Sequence, residues 1–309
     1  MMEKDSKVYI AGHKGLLGSS LLRNLKKEGY NNLVFRTRGE LDLRDQAATD
    51  DFFKEEKPDY VFLAAARVGG IKANIDYPGE FIYDNLQIQV NVIKSSQKNN
   101  VKKLVNFGSN CIYPVSAPQP FKECYLLTGP VEPTNEPYAV AKLAGIKLCQ
   151  AFNEQYGTEF ISVIPASLFG PNDNFDPEKS HLVPAMIRKF HMGKKKGEDV
   201  TLWGTGKPRR EIMYVDDAAE ACIYLMKNYT DSTPINVGFG YDFSITEIAD
   251  IIKKVIGFHG GIGFDTSKPD GIEAKLLDSK KINELGWKPK VSLEKGVQKT
   301  YRWFLENVR

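Results

Sequence analysis

The chain has 309 residues, 42% of them hydrophobic and 26% charged, the composition of an ordinary globular chain long enough for one large core or two smaller ones. Its 42 basic and 39 acidic residues leave a formal net charge of +3, so overall charge favours neither nucleic acid nor a membrane surface, and any anionic ligand must be met by local clusters. Cys111, Cys124, Cys149 and Cys222 show neither paired metal-ligand spacing nor a disulfide framework, so reduced thiols and no metal site are expected. No segment approaches the roughly 20 apolar residues needed to span a bilayer, and the charged first ten residues lack a leader's apolar core. The expectation is a cytoplasmic protein.

Lys7-Val8-Tyr9-Ile10-Ala11 is a short β-type run that meets Gly12-His13-Lys14-Gly15-Leu16-Leu17-Gly18, and residues 19–28 have helical periodicity. Strand, glycine turn and helix together let the backbone approach a pyrophosphate whose charge then sits at the helix N-terminus. The competing reading is a purely structural turn, and the context favours a dinucleotide site. A second strand, Leu33-Val34-Phe35, leads into Arg36-Thr37-Arg38. Sites selecting NAD place an acidic residue about 20 positions beyond the glycines, on the ribose hydroxyls. Two arginines there suit the additional phosphate of NADP, while the nearby Glu40 and Asp42 keep NAD open.

The pattern is helical over 45–56, continuously apolar and strand-like over 60–66, helical over 77–99 and strand-like over 103–107. Apolar strands without polar alternation, separated by helices, predict a parallel sheet covered on both faces, a doubly wound Rossmann-like α/β fold. The last of these strands ends in Gly108-Ser109-Asn110-Cys111-Ile112-Tyr113-Pro114. Ligands of open α/β sheets gather just beyond such strand ends, which makes Ser109 and Cys111 candidates. A buried small hydrophobe is the other reading of Cys111.

A proline-rich loop over 114–137 is longer than an ordinary connection and fits a substrate-contacting loop. Pro137 suits the first turn of the next helix, with Thr134 or Asn135 as its cap. Tyr138 and Lys142 then lie four positions apart, on one helix face. An ammonium beside a phenol lowers its pKa and makes it a usable acid or base, although a solvated pair has the same spacing.

Phe160-Ile161-Ser162-Val163-Ile164 is the next strand, and after Pro165-Ala166-Ser167-Leu168-Phe169-Gly170-Pro171 the chain becomes loop-rich. This places a boundary near residue 170. Residues 1–170 would form the dinucleotide-binding domain and 171–309 a smaller α/β substrate domain, with some segments returning to the sheet. Helical patterns cover about 181–192, 215–228, 245–257 and 292–307, and Ile235-Asn236-Val237 reads as a strand. Lys194-Lys195-Lys196 reads as a solvated loop.

The ordered set of glycine turn, Ser109 and Tyr138-x-x-x-Lys142 resembles the extended short-chain dehydrogenase/reductase family, whose members mostly work on nucleotide sugars. Finer motifs are similar to the GDP-L-fucose synthase family within it: Ala11-Gly12-His13-Lys14-Gly15, Phe35-Arg36-Thr37-Arg38, Ala66-Arg67-Val68-Gly69-Gly70-Ile71, Ser109-Asn110-Cys111-Ile112-Tyr113-Pro114 and Glu132-Pro133-Thr134-Asn135-Glu136-Pro137-Tyr138-Ala139. The similarity runs from residue 7 to Trp303-Phe304-Leu305-Glu306-Asn307. It implies an NADPH-dependent enzyme that epimerises GDP-4-keto-6-deoxy-D-mannose at C3 and C5 and reduces its C4 ketone to give GDP-L-fucose. A homodimer packed through the helices near 80–99 and 138–156 is implied as well.

By this resemblance Cys111 is the base and His181 the acid of epimerisation, on opposite faces of the enolate. Tyr138 protonates the C4 oxygen, Lys142 holds the nicotinamide ribose and supports the phenolate, and Ser109 hydrogen-bonds the carbonyl oxygen. The implied cofactor-binding residues are Gly12, His13, Lys14, Gly15, Leu16, Leu17 and Gly18 in the turn, with Arg36, Arg38, Asp42 and Leu43 after it. Ala64, Ala65, Ala66, Phe107 and Gly108 follow, then Lys142, Pro165, Ala166, Ser167, Leu168 and His181. For the GDP-sugar the resemblance points to Ser109, Cys111, Lys189, Trp203, Arg210, Asp270 and Lys275. Trp203 could equally belong to the core.

Lys14 and Lys189 stand where arginines are usual, keeping charge but losing the bidentate fork. A nucleotide-sugar 4,6-dehydratase of the family would carry an Asp-Glu pair where Asn110 and Cys111 stand, and a 4-epimerase would lack the pairing of Cys111 with His181. A non-catalytic cofactor-binding protein would show losses among Ser109, Cys111, Tyr138, Lys142 and His181, all of which are present.

Overall fold

The computed structural model describes residues 2–177, 179–268 and 270–308. In chain order its first half runs β1 (Val8–Ala11), α1 (Leu16–Lys27), β2 (Leu33–Val34), α2 (Gln46–Glu56), β3 (Tyr60–Leu63), α3 (Ile71–Asp76), α4 (Pro78–Lys98), β4 (Lys103–Phe107), α5 (Glu136–Tyr156) and β5 (Phe160–Pro165). There follow β6 (Ser167–Phe169), α6 (Leu182–Lys196), β7 (Val200–Trp203), β8 (Arg209–Arg210), β9 (Ile212–Tyr214), α7 (Val215–Asn228) and β10 (Ile235–Val237). The chain closes with β11 (Phe243–Ser244), α8 (Ile245–Ile256), β12 (Ile262–Asp265), β13 (Ala274–Lys275), α9 (Lys280–Glu284) and α10 (Leu293–Asn307).

Six strands make one parallel sheet in the order β10-β5-β4-β3-β1-β2. Every residue of β1, β3 and β4 is buried, because helices cover both faces; β1 and β3 accordingly read as unbroken apolar runs, while β4 also buries Lys103 and Asn106. The doubly wound fold expected from the sequence is therefore present. Strand order reverses between β1 and β3, and the crevice beyond their carboxyl ends is where such sheets receive ligands.

The sheet needs the late part of the chain to complete it. β10 joins β5 in parallel, Ile235 opposite Val163. α7 packs on α1, where the Ser20 hydroxyl donates to Asp216 at 2.5 Å and Arg23 pairs with Asp216 at 2.8 Å. A second core, around Phe169, Ile187, Phe190, Ile252, Val297 and Phe304, lies under α6, α8 and α10. Among the described residues three small sheets surround it: β6 with β9 and β7 with β12, both parallel, and β8 between antiparallel β11 and parallel β13.

Four local expectations change. The apolar run over 60–66 is strand only to Leu63, because Ala64 and Ala65 meet the backbone of Gly12 instead of continuing the ladder. β2 stops at Val34, one residue before Phe35. Lys194, Lys195 and Lys196 form the last turn of α6, not a loop; cations favour that helix end, and the Lys194 ammonium also donates to the Ile256 carbonyl at 2.7 Å. Asn135 occupies the cap position of α5, yet its side chain makes no capping bond, and the Thr134 hydroxyl turns to Glu132 at 3.3 Å.

Candidate active site

The glycine turn is a steric device. Gly12 sits at φ +83°, and a Cβ there would lie 2.7 Å from the Ala65 amide nitrogen; one on Gly18 would lie 2.1 Å from the Gly12 carbonyl oxygen. These two glycines bring β1, α1 and the segment after β3 into backbone contact. Gly15 caps α1 without a side-chain bond, which leaves the helix N-terminus open for an anion, while its amide closes the turn onto Gly12 at 2.9 Å. Leu16 and Leu17 begin that helix. The His13 ring packs at a tilt against Phe35 with centroids 4.6 Å apart, and its Nδ1 is buried without a partner. Burial first, then the Lys14 charge, hold the His13 pKa below its ordinary value.

The arginines after β2 do not converge. Arg36 pairs with Glu56 at 2.7 Å and lies over the Phe52 ring, whereas Arg38 is 66% exposed and only loosely paired with Asp42 at 3.7 Å. Asp42 is clamped by Arg44 at 2.6 and 2.9 Å, and hydrogen bonds from Arg44 hold its carboxyl at about 2. Glu40 accepts from the Thr37 amide at 2.6 Å and hydroxyl at 2.8 Å. Both acids are thus committed to protein donors. Leu43 is buried nearby.

At the end of β4, Phe107 is buried and Gly108 fits among Ile112, Ile146 and Ile164, so Ser109 emerges at a fixed point. The Cys111 thiol, one short helical turn on, donates to the Ser109 hydroxyl at 3.3 Å. Tyr138 enters from α5, whose first turn holds Pro137; its phenol lies beside Ser109 and it meets Phe81 edge to face, centroids 6.3 Å apart. Lys142 follows on the same face, 3% exposed, with its ammonium 5.9 Å from the Tyr138 ring centroid. Ser109, Cys111, Tyr138 and Lys142 therefore form one cluster.

Burial dominates its electrostatics. It lowers the Lys142 pKa to about 8 and raises the Cys111 thiol, which the Ser109 hydrogen bond and then Lys275 and Lys142 partly offset. The Tyr138 phenol is also raised by burial, reinforced by Cys111, instead of being lowered by its lysine as the helical spacing suggested. At neutral pH the Tyr138 phenol is therefore protonated.

His181 is the cap residue of α6 and exposed, yet protein on the surrounding sides lowers its pKa, as at the wall of an open cleft. Its neighbour Ser180 approaches Gly70, where a Cβ would lie 3.5 Å from the Ser180 carbonyl oxygen. Pro165, Ala166, Ser167 and Leu168 run past the strand ends; the Ala166 amide donates to Val237 at 2.9 Å and the Asn110 amide group to the Ser167 hydroxyl at 3.2 Å.

The residues expected at the GDP end fall into two groups. Trp203 is 66% exposed and so not core, with Lys268 over its ring, and Asp270 accepts from Thr205 at 2.6 and 2.8 Å. Lys189 donates to the Thr201 carbonyl on the same strand as Trp203 at 3.2 Å. The other group is Arg210, held by the Arg209 and Ile272 carbonyls at 2.7 Å, and Lys275, its register partner on β13. Thr205 and Lys268 escaped the sequence reading; the signal was Gly204-Thr205-Gly206, a tight turn with φ +80° and +78° at its glycines.

The family described as the NAD dependent epimerase/dehydratase family matches residues 8–238. The chain belongs to that family. Within the NAD dependent epimerase/dehydratase family it is 53% identical over 309 residues to GDP-L-fucose synthase 1 of Arabidopsis thaliana, covering 100% of this chain and 96% of that one. It is similar in structure to a GDP-L-fucose synthetase from Naegleria fowleri bound to NADP, with TM-score 0.93, 32% identity and coverage of 99% and 96%. A GDP-mannoheptose C4 reductase from Campylobacter jejuni with NADP bound gives TM-score 0.92, 44% identity and coverage of 99% and 100%. The glycine cradle, the unpartnered His13 Nδ1 and the open end of α1 fit the dinucleotide the family name implies.

Proposed function

We infer that this chain is a GDP-L-fucose synthase: it converts GDP-4-keto-6-deoxy-D-mannose to GDP-L-fucose by epimerising C3 and C5 and reducing C4, with NADPH as reductant. The observation that carries this reading is the Cys111 thiol hydrogen-bonded to Ser109 within the Ser109, Tyr138 and Lys142 cluster, which adds proton-transfer chemistry to a reductase site.

The C4 ketone acidifies the hydrogens on both adjacent carbons. Cys111 takes such a proton, His181 returns one on the other face, and Ser109 and Tyr138 hydrogen-bond the enolate oxygen. The nicotinamide supplies a hydride to C4 when bound. Tyr138, protonated at neutral pH, then gives its proton to the C4 oxygen while Lys142 supports the resulting phenolate. NADP over NAD is supported by the commitment of Glu40 and Asp42 to protein donors, which leaves Arg38 and Lys14 as cations open to an additional phosphate.

Residues 1–170 would carry the cofactor and 171–309 the GDP-sugar, with β10 and α7 lent back to the first part. Trp203, with its ring exposed, would receive the base, and Lys189, Arg210 and Asp270 would meet the rest of the nucleotide. α4 and α5 pack side by side and leave Tyr83, Val90 and Val140 exposed on their outer faces, which supports a homodimer through these helices; a monomer in sedimentation would remove it. Among the described residues no helix is long and apolar enough to cross a membrane, and the free cysteines support a reducing, cytoplasmic compartment. The reading as a whole predicts one NADPH oxidised per GDP-4-keto-6-deoxy-D-mannose, with GDP-L-fucose as product. Binding of NADPH without its oxidation would reject it.

A further inference from the structure

Two lysines reach the same cluster from segments far apart in the chain. Lys142 comes with Tyr138 on α5. Lys275 comes from β13, which is sewn to the loop following Cys111. Gln119 donates to the Ala274 carbonyl at 2.8 Å and accepts from the Leu276 amide at 2.7 Å, gripping the strand on both sides of Lys275. Next to it the Phe121 amide donates to the Leu276 carbonyl and the Asp278 amide to the Phe121 carbonyl, both at 2.8 Å. Phe121 stacks on Tyr113, two residues beyond Cys111, with centroids 4.8 Å apart.

The result is a small cavity whose wall includes Cys111, Pro114, Val115, Phe121 and Ile272, and in which Lys275 and Glu132 are the charged lining residues. Lys275 is half-buried, and among the described residues its ammonium donates no hydrogen bond and closes no ion pair. A desolvated ammonium without a partner is costly unless an anion forms beside it. The polar groups facing Cys111 are Ser109 from its own turn, Tyr138 and Lys142 from α5, Lys275 from β13 and Glu132 from the loop before α5, with Arg210 behind Lys275.

We propose that Lys275 is the cation that makes Cys111 a usable base, so that Lys275 serves the epimerisation half of the reaction and Lys142, with Tyr138, the reduction half. This rests on the reading of Cys111 as the base and departs from a role for Lys275 as a diphosphate ligand. The Lys275 charge favours the Cys111 thiolate more strongly than the Lys142 charge does. When Cys111 takes a carbon-bound proton its thiolate becomes a thiol and the electron pair passes to the enolate oxygen, so charge leaves the Lys275 side and arrives at Ser109 and Tyr138.

Alkylation of Cys111 by iodoacetamide across pH tests this, with peptide mass spectrometry to count the exposed Cys124 separately. Lys275→Met should move the alkylation midpoint up by about one pH unit, roughly tenfold slower reaction at neutral pH. Lys275→Arg should restore it, and Gln119→Ala, which keeps the charge but loosens its strand, should move it the same way by less. Lys275→Gln gives the same test if the methionine variant does not fold. An unchanged profile on loss of the charge overturns the proposal, and a simultaneous fall in GDP affinity would assign Lys275 to the diphosphate. Undiminished C3 exchange in Cys111→Ser would instead sink the reading of Cys111 as the base, independently of the alkylation result.

Discussion

The two halves of the cluster are built in different ways. Tyr138 and Lys142 share one helix, so their relation is set by helical spacing and by Gly145, where a Cβ would lie 2.0 Å from the Gln89 side chain of α4. Cys111 and Lys275 come from a loop and a strand of different sheets, and their relation depends on Gln119 and the Tyr113–Phe121 stack. A local pair tolerates change elsewhere in the fold. A pair assembled from distant segments fails wherever the seam between them is cut.

The largest expected effect lies on the helical side. Tyr138→Phe removes the proton donor and should slow NADPH oxidation by about 10²–10⁴-fold while leaving NADPH binding in place; an undiminished rate would take Tyr138 out of the reduction. On the loop side, Cys111→Ser should slow exchange of the C3 hydrogen into deuterated solvent by about 10²-fold or more, with NADPH affinity unaltered. If solvent exchange kept pace with the parent enzyme, proton abstraction would have to start elsewhere.

Effects on the frame beneath both halves are smaller. Gly18→Ala drives a methyl into the Gly12 carbonyl and should cost about 1–3 kcal/mol of stability along with NADPH affinity, read by thermal unfolding with and without cofactor. Arg38→Ala should weaken NADPH relative to NADH by about tenfold, and Arg36→Ala by less, because Arg36 is engaged with Glu56. Equal losses would show that the Glu56 pair opens when the phosphate arrives. The smallest effect is in pH. Lys142 carries its charge below about 8 and loses it above, so NADPH affinity should decline a few-fold as pH rises through that value, and Lys142→Met should abolish the slope. A pH-independent affinity in the parent protein would separate Lys142 from the cofactor.

What could be read in the sequence follows the same division. The parallel sheet, the glycine turn, Ser109 at a strand end and the helical pair of Tyr138 and Lys142 are written in contiguous residues, where periodicity and turn chemistry speak directly. The direction of the Tyr138 shift was not, because the helical spacing shows a neighbouring charge but not the burial that outweighs it. Nor was the diversion of Arg36 to Glu56, or the seam that brings Lys275 to Cys111, since both depend on partners far away in the chain. The early stop of β3 has the same origin: an apolar run cannot reveal that Gly12 arrives beside Ala65.

The most direct test of the whole account is the product formed from GDP-4-keto-6-deoxy-D-mannose and NADPH in deuterated water, analysed by NMR. The account predicts GDP-L-fucose with deuterium at both C3 and C5 and hydrogen from the cofactor at C4. A reduced sugar of unaltered C3 and C5 configuration, with its original hydrogens there, would contradict it.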